Sequence, residues 1–125
     1  MAYEIRSGVI GTLVAGADLT ASQYRYCVLD GSGNVVTAGA GVAALGVLQN
    51  KPAATESVEL FSVGGGYVTK VEAGALIAIG NKLTPDASGR AVVAGVGDYI
   101  NGTALEAASA AGEFVAAANG NEGKA

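Results

Sequence analysis

The chain matches itself at an offset of 56 residues without gaps, and this duplication constrains the fold more than any other feature. Asp30, Ser32, Gly33, Val36, Ala38, Gly39, Gly41, Gly46 and Ala54 recur as Asp86, Ser88, Gly89, Val92, Ala94, Gly95, Gly97, Gly102 and Ala110. The shared punctuation is Asp-x-Ser-Gly, followed by Val-x-Ala-Gly-x-Gly. Asp and Gly tolerate the left-handed backbone that tight hairpin turns need, so each copy reads as strand, turn, strand. Two such units predict two related halves of one β-domain.

Short strands fill the rest. Val9–Val14 reads as an extended opening segment, and Tyr24–Leu29 as a strand closing at the turn Asp30–Asn34, with Val35–Thr37 as its return arm. Gly46–Gln49, Ser57–Phe61 and Tyr67–Val71 follow, the last two with the alternation of half-buried strands. Thr84–Arg90 reads as a second turn leading into Ala91–Val93. The final strands are expected at Asn101–Leu105 and Glu113–Ala117. Thr103–Ala111 is rich in helix formers. The matching segment after Gly46 carries Pro52, however, which argues against a long helix there, so a strand is preferred from Gly102 by analogy. The expected fold is all-β: a small single-domain sandwich or barrel with at most one short helix. Residues 1–16 form an N-terminal arm, 17–119 the β-domain (related halves at about 24–61 and 80–117), and 120–125 a flexible tail.

Composition narrows the chemistry. Of 125 residues, 25 are alanine and 20 glycine, which gives thin side-chain layers rather than a deep apolar cavity. Charged residues are only 14%, below the usual quarter or so, which suggests a surface partly covered by a partner. Net charge is −4, and the seven basic residues are scattered with no two adjacent, so no stripe follows a phosphate backbone. Met1–Arg6 lacks the pattern of a secretion signal. The uncharged stretch Gly31–Asn50 is too polar for a spanning helix. The expectation is a protein made in a cytoplasm, with no nucleic-acid, membrane or small-molecule partner.

Histidine is absent, which removes the usual base for a serine or cysteine nucleophile. Cys27, the only cysteine, lies in an apolar strand and reads as structural. Lys51, Lys70 and Lys82 sit in no Ser–Lys motif. Asp30-x-Ser32-x-Asn34 resembles the opening of a calcium loop, but Val35 and Gly41 stand where glycine and glutamate are needed. Val35–Ala44 fits a strand followed by G-x-G-x-x-A, yet Gly46 and Pro52 interrupt the helix a dinucleotide requires. Gly64-Gly65-Gly66 is explained by a bend. No enzyme, cofactor or metal is expected.

Tyr26–Val36, Ala44–Asn50, Val71–Ala75 with Ile79–Thr84, and Gly89–Ala91 with Gly102–Ala108 together resemble the capsid cement, or head decoration, proteins of tailed bacteriophages. The resemblance covers about Ala17 to Asn119 and is one of order and style, without an invariant motif. It implies a trimer of β-rich domains on the outer face of an assembled head, bound to the major capsid protein and strengthening the shell without catalysis. Tyr3, Ile5, Val9 and Ile10 are apolar or aromatic yet precede the repeated core, and are expected to contact capsid or neighbouring subunits. A tail or adhesin component is the alternative.

Overall fold

The computed structural model describes residues 9–125. Among these residues ten strands form two antiparallel five-stranded sheets. Sheet one contains β1 (Val9–Ile10), β2 (Tyr26–Leu29), β3 (Val35–Thr37), β4 (Gly46–Leu48) and β5 (Leu60–Ser62). Sheet two contains β6 (Val68–Glu72), β7 (Lys82–Pro85), β8 (Ala91–Val93), β9 (Tyr99–Ala104) and β10 (Phe114–Lys124). The orders β1-β5-β4-β2-β3 and β6-β10-β9-β7-β8 are the same order written twice. The duplication therefore describes a duplicated sheet, and the chain is nearly all-β as expected.

The turns repeat atom for atom. Asp30 Oδ1 accepts the backbone N–H of Ser32 and Asn34, and Asp86 Oδ1 accepts those of Ser88 and Arg90. A short acidic side chain is needed at that position because it can satisfy two turn donors at once. Beside each turn a parallel bridge closes the sheet edge, Ala15 to Val35 in one half and Ala73 to Ala91 in the other.

Each sheet has an inner face, turned toward its own loops, and an outer face. On the inner face of sheet one, Cys27, Val35, Leu48 and Leu60 pack with Ala15, Leu19 and Val58. The corresponding residues of the second half are Leu83, Ala91, Ala104, Ala117, Ala73, Ile77 and Val115. Several bulky residues of the first half have alanine as their counterpart. The room is taken by Tyr26, Ala38, Val47 and Val63, which join the second half's cluster from the first.

Tyr26 is fully buried, and its hydroxyl meets Asn119 Oδ1 at 3.4 Å. A Cβ on Gly102 would stand 3.2 Å from that hydroxyl, so a residue without a side chain admits the ring there. The outer face of sheet one thus rests on the inner side of sheet two. Main-chain bonds fasten the junction: Tyr26 N–H donates to Gly89, Glu72 N–H to Tyr24, Gly41 N–H to Pro85 and Tyr99 N–H to Gly41. The Asn101 side chain, itself buried, accepts from Ala44 N–H and donates to the Val42 carbonyl. Arg25 and Glu72 add an ion pair across the halves at 3.1 Å.

Two sequence expectations need correction. Thr84 and Pro85 belong to strand β7, and the second turn begins at Asp86. The missed strand lies 56 residues beyond β2, so the duplication itself pointed to it. Residues 120–124, placed in a tail, form the end of β10, where Gly123 pairs with Ile100 and Lys124 with Tyr99 beyond a register shift. The strand preferred from Gly102 by analogy with Gly46 is present: β9 runs to Ala104, the helix formers after Thr103 make no helix, and Ala108 bridges Ile77.

The duplicated turns give an internal comparison. Gly33 and Gly89 share a left-handed backbone, at φ 79° and 81°. A Cβ on Gly33 meets nothing within 4 Å, whereas on Gly89 it would lie 2.7 Å from the Tyr26 carbonyl oxygen. Gly33→Ala should cost about 1 kcal/mol through the backbone alone, and Gly89→Ala about 3 kcal/mol or more because the half-to-half seam must also open. Equal losses in urea unfolding would show that the seam is not tight there.

Left-handed backbone also occurs at Thr55 (φ 71°), where the second half has Gly112 (φ 92°). Both residues donate N–H to the equivalent alanine, Ala15 or Ala73. A β-branched residue is strained in this conformation and Thr55 is exposed. Thr55→Gly should raise stability by up to about 1 kcal/mol, read as a higher Tm; a fall would show that the threonine makes compensating contacts.

Candidate interaction surface

The residues that sequence reasoning weighed for chemistry are occupied with structure. Cys27 is fully buried in β2, and burial pushes its thiol up to about 12, against a smaller opposing pull from the Arg25 charge. A thiol so raised is not a nucleophile near neutral pH. The Asp30 carboxylate serves the turn rather than a cation. Gly39 and Gly41 lie in the loop between β3 and β4; Gly41 turns at φ 70° and the chain enters β4 at Gly46, with no helix end for a pyrophosphate. Val63–Gly65 makes one 3-10 turn that closes at Gly66. Among the described residues no group of three or more Cys, Asp and Glu side chains is placed to hold a metal ion.

Of the expected contact residues, Tyr3 and Ile5 lie outside the described residues. Val9 and Ile10 form edge strand β1, opposite Phe61 and Leu60. Both are half-buried, and Ile10 packs on the first half's core with Leu13 and Leu45. Part of the Ile10 side chain is thus used within the domain.

At the junction of the halves lies a shallow groove of about 210 Å³, lined by Thr20, Ala21, Gln23, Lys51, Glu72 and Phe114. Phe114 meets Tyr24 edge to face at 5.6 Å, and the Lys70 ammonium sits 5.8 Å from the Tyr24 ring centre. Tyr24 holds a left-handed backbone (φ 67°) where the second half has Gly80, and these ring contacts offset that strain.

The larger feature is the outer face of sheet two. Alternation along β6 and β10 puts Val68, Lys70, Glu72, Phe114, Ala116 and Ala118 on one side and buries Thr69, Val71, Val115, Ala117 and Asn119 on the other. Phe114 faces Glu72, Ala116 faces Lys70 and Ala118 faces Val68 across the strands. Leu105 joins them next to Ala116, to whose carbonyl its N–H donates. Val68, Phe114 and Leu105 are 59%, 54% and 47% exposed. The composition signalled thin side-chain layers; which face they leave open depends on strand register, which the sequence did not show.

No protein-family model matches the sequence, and no curated protein matches it. The fold is similar to the crystal structure of the N base of the head fiber gp8.5 in bacteriophage phi29, with a TM-score of 0.73. The similarity covers 94% of this chain and 98% of that one, at 18% sequence identity.

Burial also makes stability depend on alkali. The Cys27 thiol is raised from 9.0 to about 12, and the Tyr26 phenol is raised above its ordinary 10.0, each by burial. A raised folded-state value means that the neutral form is favoured by folding, so the stabilisation is complete below the ordinary value and declines above it. Unfolding free energy should therefore fall from about pH 9 upward, by up to about 1.4 kcal/mol per pH unit for each group. Cys27→Ala should shift the onset toward pH 10. Denaturant titrations across this range check it; flat stability to pH 11 would contradict burial of both groups. The likeness just described is one of fold, across almost the whole length of both chains.

Proposed function

We propose that this chain is a non-enzymatic structural protein of a tailed-phage head, which binds the outside of the assembled capsid as a trimer and stabilises it. The observation that carries the reading is the fold shared with a head-fiber base over nearly the full length of both chains. The duplicated β-architecture supports it: a stiff, turn-punctuated domain offers preformed surface, so attachment loses little conformational entropy. Small residues on the exposed sheet allow close approach of a partner. A standard interface of about 1,600 Å² gives firm attachment where its centre is apolar and well packed. The work of such a protein is burial of area, and the N-terminal residues Tyr3, Ile5, Val9 and Ile10 are assigned to the capsid-facing contact.

Purified protein mixed with expanded, undecorated heads of its phage should cosediment and raise the temperature at which the heads release DNA or collapse. Failure to cosediment across a wide concentration range would refute the reading. Deletion of residues 1–8, which leaves β1 in place, should abolish attachment while the circular dichroism spectrum is retained. Undiminished attachment would remove the arm from the contact.

A further inference from the structure

We propose that Asn101 and Asn119 are latent sites of spontaneous deamidation, shut while the halves are joined and reactive once they part, so that a long opening of the seam becomes irreversible. Of the six asparagines only these two precede glycine. Glycine has no side chain to shield its N–H, so its nitrogen can reach the amide carbon of the asparagine before it. The two bonds are neighbours in the fold, because Asn119 stands opposite Gly102 across β9 and β10. Both side chains also meet the first half, Asn101 at Val42 and Ala44 and Asn119 at Tyr26. In the first half Gly46 stands opposite Ser62, and the matching bonds, Leu45–Gly46 and Ser62–Val63, carry no side-chain amide.

The step needs no reactant but water. The Gly102 nitrogen attacks Cγ of Asn101, the Cγ–Nδ2 bond breaks, and Nδ2 leaves as ammonia with the proton shed by the glycine nitrogen. Water then opens the cyclic imide. Addition at Cγ gives aspartate, and addition at the main-chain carbonyl gives isoaspartate, with the chain rerouted through Cγ. Gly120 acts on Asn119 in the same way, and nothing is oxidised or reduced. Ring closure requires the side chain to fold back over its own peptide, and the fold prevents this twice. Asn101 is fully buried, with Oδ1 accepting the Ala44 N–H at 2.9 Å and Nδ2 donating to the Val42 carbonyl at 3.0 Å. Asn119 is 6% exposed, and its Nδ2 donates to the Thr69 hydroxyl at 2.7 Å and the Tyr67 carbonyl at 3.1 Å. The extended backbone of a strand also directs the side chain away from the following nitrogen.

The domain cannot protect the first bond by giving up Gly102. A Cβ there would lie 3.0 Å from Asn119 Oδ1 and 3.2 Å from the Tyr26 hydroxyl. Conversion has different consequences at the two sites. An aspartate at position 101 still accepts from Ala44, but its second oxygen faces the Val42 carbonyl with no donor between them, in full burial. At position 119 the hydroxyls of Tyr26 and Thr69 can donate to a carboxylate, and only the Tyr67 carbonyl loses its donor. Conversion of Asn101 therefore blocks reclosure, and conversion of Asn119 weakens it. The device acts whatever the domain attaches to.

Mass spectrometry of the full chain, incubated at one pH and temperature in buffer or in unfolding guanidinium chloride, tests this. Cleavage after glutamate puts Asn101 and Asn119 on separate peptides. Both should turn from amide to acid in guanidinium, and at least about tenfold more slowly in buffer, where reaction waits on opening. A smaller difference overturns the proposal. Gly120→Ala adds a Cβ that meets nothing within 4 Å. In guanidinium it should slow conversion of Asn119 and leave Asn101 unchanged; an unslowed Asn119 refutes attack by the glycine nitrogen. When partly converted chains are diluted to refold, the native fraction from size exclusion should be depleted of chains converted at Asn101. Equal conversion in the native and non-native fractions refutes the irreversible opening.

Discussion

The arrangement of this domain depends on Tyr26. Sheet one has large residues on both faces, and its outer face can be buried only if something covers it. Tyr26 projects from that face into the second half, where Gly102 leaves room and Asn119 meets its hydroxyl. Its own N–H and carbonyl lie against Gly89, so ring and main chain are fixed by the same neighbour. Burying an aromatic side chain of this size contributes on the order of 3 kcal/mol. Among the described residues no other fully buried side chain is larger.

Duplication accounts for the rest of the architecture, and the differences between the copies account for its limits. Val35, Leu48 and Leu60 of the first half correspond to Ala91, Ala104 and Ala117 of the second, and the volume given up there is filled from across the seam. Two identical halves would leave the same apolar outer face on both and would stack without end. Replacing Tyr26 by Lys82 and Val47 by Thr103 at equivalent places stops the series after two.

Much of this was legible in the sequence. The turn motif gave β2, β3 and β8 and the relation between halves, because Asp and Gly at fixed spacing have few other uses. Pro85 hid β7: proline reads as turn chemistry, although at the end of a strand its missing N–H costs nothing. The end of β10 was hidden by Asn119, Gly120, Asn121 and Gly123, residues of low strand propensity that the register shift accommodates. The exposed face was not readable at all. Alanine at 116 and 118 carries no signal of inside or outside, and only pairing with Lys70 and Val68 shows which side those methyl groups take. The apolar N-terminal residues drew attention because they were visibly out of place, yet Ile10 is partly committed to the core.

A domain whose halves share one seam should open as one unit, and native-state hydrogen exchange tests that claim most directly. The amides of Tyr26 and Glu72, which donate across the seam, should exchange with the same opening free energy as Thr84 and Val92, a hydrogen-bonded pair inside the second sheet. If the seam amides exchange far more readily than those within the sheets, the halves open independently, and Tyr26 does not hold them together.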